Sequence, residues 1–244
     1  MKTKSTVSPT IVSEEKWLAA RIKFLREEKE FTKLRDRLSA RRRELPWVKV
    51  EKAYVFESPR GPVSLADMFE GRSQLIVYHF MFGPGWEEGC PSCSFVSDHF
   101  DGTLPHLNAR DVSFTAISRA PLEEIEPFKV RMGWKFNWVS SHGSSFNHDF
   151  RVSFTEEEMK KGEADYNFAM TQIPFEELPG FSVFARDAKG AVYRTYSTYG
   201  RGFDIMMNTY NFLDIVPKGR DEDPEATMSW LRYHDQYDHA AVAS

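Results

Sequence analysis

From Glu14 onward, apolar residues recur at three- and four-residue intervals: Leu18, Ile22 and Leu25, then Phe31, Leu34 and Leu38, with Trp17 and Phe24 alongside. Side chains so spaced share one helical face, which predicts a long amphipathic helix, or two with a break near Lys29-Glu30-Phe31-Thr32. Ser13 suits the N-cap, and Glu14 and Glu15 favour the positive end of the helix. Pro46 marks its limit. Beyond Trp47 the pattern shortens. Lys52–Phe56 predicts a strand, Pro59–Pro62 a turn and Val63–Phe69 a short helix capped by Ser64. The run Leu75–Phe82 is uninterrupted by polar residues except His79, as in a central strand buried on both faces. Val96, Phe100, Leu104 and Leu107 then make a helical stripe. Val112–Ile117 predicts a strand, Pro121–Met132 a helix and Phe136–Val139 another strand. Residues 154–178 are acidic and weakly patterned, with Thr155–Lys161 as a capped helix inside an insertion. Phe181–Ala185 and Ala191–Tyr196 predict a β-hairpin, and Phe203–Leu213 a last helix.

Strand, helix, strand, helix, strand is the signature of an α/β fold with a parallel sheet. The organisation expected is a tail and helical extension over 1–46, an α/β domain over 47–216 with its insertion at about 154–178, and a polar tail over 217–244. Composition agrees with an ordinary globular chain: 244 residues, 41% hydrophobic and 28% charged, are ample for a buried core. Charge is unevenly spread. Residues 14–52 hold 13 basic and 8 acidic residues, a net of +5, whereas 53–244 hold 17 and 28, a net of −11. Lys2 and Lys4 supply the remainder of the overall −4. Because acidic residues interleave with the basic ones, 14–52 is expected to be a solvated helix face, not a nucleic-acid surface. The first ten residues carry no apolar signal core, and no run reaches the ~18–20 apolar residues of a membrane span. A cytoplasmic protein is therefore expected.

The strongest chemical signal is Cys90-Pro91-Ser92-Cys93, which contains both cysteines of the chain. It follows the predicted central strand and a Gly/Pro-rich turn. A C-x-x-C at a strand-to-helix junction suits dithiol–disulfide exchange, because helix-terminal amides favour the thiolate of the first sulfur. Cys90 is the candidate nucleophile and Cys93 the resolving thiol. Glu87 and Glu88 oppose the thiolate, and no Lys or Arg stands within several residues. Zinc held by Cys90, Cys93, His79 and His99 is the alternative chemistry. Its spacing fits no compact finger, and His79 in a central strand is expected to be a core histidine. Neither a Ser-His-Asp arrangement nor a phosphate-binding loop is present, and no cofactor is predicted.

Several stretches together resemble one bacterial family, domain of unknown function 899, often labelled predicted dithiol–disulfide oxidoreductases. They include Glu15-Lys16-Trp17-Leu18-Ala19-Ala20-Arg21 with Leu45-Pro46-Trp47-Val48, Val77-Tyr78-His79-Phe80-Met81-Phe82-Gly83-Pro84 and Gly89-Cys90-Pro91-Ser92-Cys93-Ser94-Phe95. Asp98-His99-Phe100-Asp101-Gly102, Ser118-Arg119-Ala120-Pro121-Leu122, Met132-Gly133-Trp134 and Tyr196-Ser197-Thr198-Tyr199-Gly200-Arg201-Gly202 complete them. The resemblance implies a thioredoxin-like, more closely peroxiredoxin-like, mixed sheet flanked by helices. It implies a thiol–disulfide oxidoreductase acting on a protein or small-molecule thiol or disulfide, with Trp86, Pro91 and Arg119 supporting the cysteines. It also implies a cis-proline opposite the motif, at Pro179 or, second, at Pro174. A peroxidase would use Arg119, but Glu87 stands where such enzymes have threonine. A non-catalytic binding or scaffold protein is the other alternative. Trp134, Trp138, Tyr196 and Tyr199 are expected mainly in the core. A homodimer through the N-terminal helix is the partner expectation.

Overall fold

The computed structural model describes residues 9–237 and divides into a unit ending at Pro46 and a unit starting at Trp47. The first unit is α1 (Glu14–Arg43), a single helix of 30 residues. Lys16 N–H donates to the Ser13 hydroxyl at 3.4 Å, and Arg41–Arg43 complement the negative end of the helix. No break occurs at Lys29–Thr32. There the Thr32 hydroxyl donates to the Glu28 carbonyl at 3.0 Å and Lys33 pairs with Glu30 at 2.8 Å, so the local side chains support the helix. None of the α1 residues is buried.

The second unit opens with β1 (Val48–Lys49), β2 (Val55–Ser58), β3 (Gly61–Ser64) and β4 (Gln74–His79). Next come α2 (Pro91–Ser97), α3 (Leu104–Ala109), β5 (Val112–Ser118), α4 (Leu122–Arg131), β6 (Asn137–Ser140) and α5 (Phe146–Asp149). The insertion supplies α6 (Glu156–Lys161), β7 (Glu163–Tyr166) and β8 (Ala169–Gln172); β9 (Gly180–Arg186), β10 (Val192–Tyr199) and α7 (Asn208–Leu213) follow. The large sheet runs β1-β10-β9-β4-β5-β6-β2-β3. β4, β5 and β6 are parallel, while β9 is antiparallel to β4 and β10 to β9. A parallel βαβ unit flanked by an antiparallel hairpin, with the cysteine motif at its first helix, is the thioredoxin-like plan that was expected.

Alternation along β4 sorts its side chains between two cores. Tyr78 joins Phe95, Val96, Phe100, Phe128 and Trp138 on the side of α2 and α4, with its ring stacked on Phe181 at 4.5 Å. Leu75 and Val77 face the other core, with Phe56, Phe69, Phe146 and Phe184. Each fully buried aromatic of this kind contributes about 1.5–3 kcal/mol by leaving water.

Four local expectations differ from the structure. Val63–Phe69 is not a helix but the end of β3 and a short 3₁₀ turn, because the Asp67 carboxylate accepts from the Ser64 N–H and hydroxyl at 2.8 and 2.7 Å. The stripe after Cys93 is interrupted by a 3₁₀ turn at Asp101–Thr103, after which Pro105 opens α3 in a position that needs no amide. The insertion carries a β7–β8 hairpin, turned by Asn167 and Phe168 at φ of 55° and 65°. The last helix begins at Asn208 and not at Phe203, because Met207 leaves the helical region with ψ of 83° after a 3₁₀ turn; beyond it, Leu231 and Tyr233 of the polar tail are buried in the α2-side core. Among the described residues, no helix is long and apolar enough to cross a membrane.

Candidate active site at the Cys90–Cys93 dithiol

β4 delivers the chain into the loop 80–89, and α2 begins immediately after Cys90. Cys90 is the N-cap residue, with Pro91 at the first helical position, where its missing amide costs nothing. Cys90 N–H donates to Met81 O at 3.0 Å, and its carbonyl accepts from Ser94 N–H at 2.9 Å, so the backbone around the sulfur is fixed on both sides. Gly89 is required there: a β-carbon would lie 2.6 Å from the Phe80 ring and 2.8 Å from that of Phe128.

Both cysteines are free thiols; Cys90 is partly exposed and Cys93 buried. A hydrogen bond from the Cys93 thiol, helped by the N–H groups of Cys93 and Ser92, holds the Cys90 thiol down at about 7 despite its burial. Burial drives Cys93 the other way, well above the usual thiol range. The Tyr78 hydroxyl faces Cys93. It is fully buried, makes no hydrogen bond while both thiols are protonated, and its presence favours the charged form of Cys93. The two sulfurs therefore differ in both exposure and acidity.

Of the two acidic neighbours, Glu88 has a partner that its sequence surroundings do not supply. Glu88 pairs with Arg131, a residue 43 positions away that also holds Asp235 at 2.8 Å. The C-terminal segment closes around this edge. Tyr233 donates to Gly89 O at 2.6 Å, and His234 Nδ1 meets Asp98 Oδ1 at 2.7 Å, beside the Trp134 indole at 2.8 Å from the same oxygen. Arg131 also stacks over the Tyr233 ring at 4.9 Å. Neither Tyr78 nor Tyr233 was singled out from sequence. Tyr78 alone carried a signal, as a hydroxyl inside an otherwise apolar strand.

Arg119 is engaged elsewhere. Its guanidinium donates to Glu177 through Nε and to Glu176 at 3.4 Å, while Glu176 accepts from the Trp86 indole at 3.0 Å. Trp86 thus anchors the loop before the motif to this network. Glu177 also accepts from Ser153, and burial pushes its carboxyl up to about 7 against the pull of Arg119. His148 donates from Nδ1 to Ser153 O at 3.0 Å and is held below its usual range by burial and by Arg119. Arg119, His148 and Glu176 line one cleft.

The other sequence candidates are placed as follows. Pro179 and Pro174 are trans, as no cis peptide bond occurs among the described residues. The entry into β9 is set instead by Leu178 N–H donating to Val152 O at 2.8 Å and by Tyr166 donating to Pro179 O at 2.7 Å. His79 sits against Phe146 and Phe150 with Nε2 at 2.9 Å from Ser182, and burial lowers it to about 3, so it is neutral. His99 is spent on Thr209 at 2.8 Å. Among the described residues, no group of three or more His, Cys, Asp or Glu is arranged to hold a metal ion. Trp134, Trp138 and Tyr199 are core residues.

Strand order and motif position together define a thioredoxin-like protein carrying a vicinal dithiol at the start of a helix. More particularly, the chain belongs to the family described as bacterial protein of unknown function (DUF899), whose model matches residues 6–237. No curated protein matches it. Similar solved structures include peroxiredoxin Q of Xanthomonas campestris, at 14% identity and a TM-score of 0.43 over 64% of this chain and 87% of that one. A putative thiol:disulfide interchange protein DsbE of Chlorobium tepidum is similar at 12% identity and 0.42, over 68% and 94%. Peroxidoxin BcpB of Mycobacterium tuberculosis shows 12% and 0.40, over 66% and 96%.

Proposed function

We propose that this chain is a dithiol–disulfide oxidoreductase. The observation that carries the reading is the asymmetry of the sulfurs: Cys90 is partly exposed with its thiol at about 7, and Cys93 is buried within hydrogen-bonding reach of it. The Cys90 thiolate attacks one sulfur of a protein or small-molecule disulfide, forming a mixed disulfide and expelling one thiolate. Cys93 then attacks Cys90 Sγ, the mixed disulfide breaks, and the second substrate thiolate leaves with the Cys93 proton. Two electrons pass from the protein dithiol to the substrate, and a separate dithiol donor restores the protein. Tyr78 is a positioning residue in this scheme, donating to Cys93 as its charge develops. A reducing compartment such as the cytoplasm is the proposed setting.

A titration against thiol–disulfide buffers, read by mass-tagging of free thiols, tests the reading. One two-electron transition is expected, together with disulfide reduction that Cys90→Ser abolishes. Thiols that stay reduced across cellular potentials, or a Cys90→Ser variant equal to wild type, would support a non-catalytic scaffold instead. The peroxidase reading has less support, because Arg119 is committed to Glu176 and Glu177.

A further inference from the structure

The first unit presents a surface unrelated to the thiols. Trp17, Phe24, Phe31 and Leu38 follow one another at seven-residue intervals along α1 and are 52, 54, 65 and 53% exposed. A helix of 30 residues is about 45 Å long, so this is an extended apolar ridge rather than an isolated exposed side chain. A strict seven-residue repeat drifts slowly around a straight helix and stays in register only when two helices coil about each other.

We infer that α1 pairs antiparallel with α1 of a second copy, about a two-fold axis between Glu27 and Glu28. The spacing is self-complementary about that point. Trp17 falls opposite Leu38 of the second copy, and Phe24 opposite Phe31. The charges are complementary in the same register: Glu14 and Glu15 fill the first turn and Arg41 the last, so each acidic end meets a basic one. A parallel pair would place like ends together. The layer at the axis is unfavourable, because acidic residues face each other there. There Arg21 of the same helix neutralises Glu28 at 2.7 Å.

Light scattering on the full chain should give twice its mass of 28.3 kDa. The double variant Phe24→Glu, Phe31→Glu should give the single mass, with an unchanged helical circular dichroism signal. Spin labels at Lys29→Cys and Asp36→Cys, each in a Cys90→Ser, Cys93→Ser background, test the register. The 1.5 Å rise per residue puts the labels at 36 about 20 Å farther apart along the axis than those at 29. A monomeric wild type, or a dimer that survives both glutamates, would overturn the pairing. Equal label distances at the two positions would overturn the antiparallel arrangement.

Discussion

Two buried ionisable centres in the second unit are coordinated in opposite ways. Glu177 has a guanidinium and a hydroxyl on its oxygens, and Arg119 carries the contact on to Glu176 and Trp86. Cys93 has the Cys90 thiol, the Met81 backbone amide and an otherwise unpartnered tyrosine hydroxyl, none of them charged. A saturated centre holds one arrangement, since any change leaves a buried charge without its partner. A sparsely coordinated thiol pair can exchange S–H for S–S without losing a network. Structure is anchored at the first centre, and chemistry is available at the second.

The comparison yields a graded set of outcomes. Cys90→Ser should remove disulfide reduction down to background, and Cys93→Ser should trap a mixed disulfide visible by mass spectrometry; neither change should move the denaturation midpoint appreciably. Arg119→Met should do the reverse. It leaves a buried carboxylate unpaired, with an expected loss of about 3 kcal/mol at pH 8 in chemical denaturation. A carboxyl whose folded value is raised from 4.5 to about 7 is most favourable below 4.5 and loses stability as pH rises through 7. The Arg119→Met penalty should therefore shrink toward pH 5, where Glu177 is protonated. If Arg119→Met instead altered Cys90 alkylation, the two centres would not be separate.

Smaller effects sharpen the thiol side. With its thiol at about 7, Cys90 should be alkylated roughly tenfold faster at pH 8 than at pH 6, following the thiolate fraction. In Cys93→Ala the hydrogen bond that does most to lower it is removed, and the inflection should move upward. Tyr78→Phe should slow resolution of a mixed disulfide a few-fold, in keeping with the ~0.5–1.5 kcal/mol of one hydrogen bond, and leave the first attack unchanged. Equal slowing of both steps would mean that Tyr78 acts only through packing.

Much of the fold was legible because its signals are local. The apolar run ending at Phe82, the hairpin strands and the capped helix α1 each follow from periodicity and end residues. The misread places obey other rules. Asp67 bonds back to Ser64 and replaces a helix by a turn, and the β7–β8 hairpin depends on two left-handed residues at Asn167 and Phe168 that are not the usual glycine. The trans state of Pro179 follows an approach to β9 through an insertion whose path no local pattern encodes.

By itself the sequence determined the chemistry on offer: two cysteines separated by two residues, downstream of a buried strand and at the start of a helix, an arrangement set by neighbours along the chain. Only the tertiary structure decided what surrounds them. It brought Arg131 to Glu88, Tyr233 to Gly89 and the Tyr78 hydroxyl to Cys93, and it assigned Arg119 to Glu177. The physical reason is that charge, burial and hydrogen bonding act through space. The Tyr233 hydroxyl that closes on the Gly89 carbonyl lies 144 residues away in the chain and 2.6 Å away in the fold.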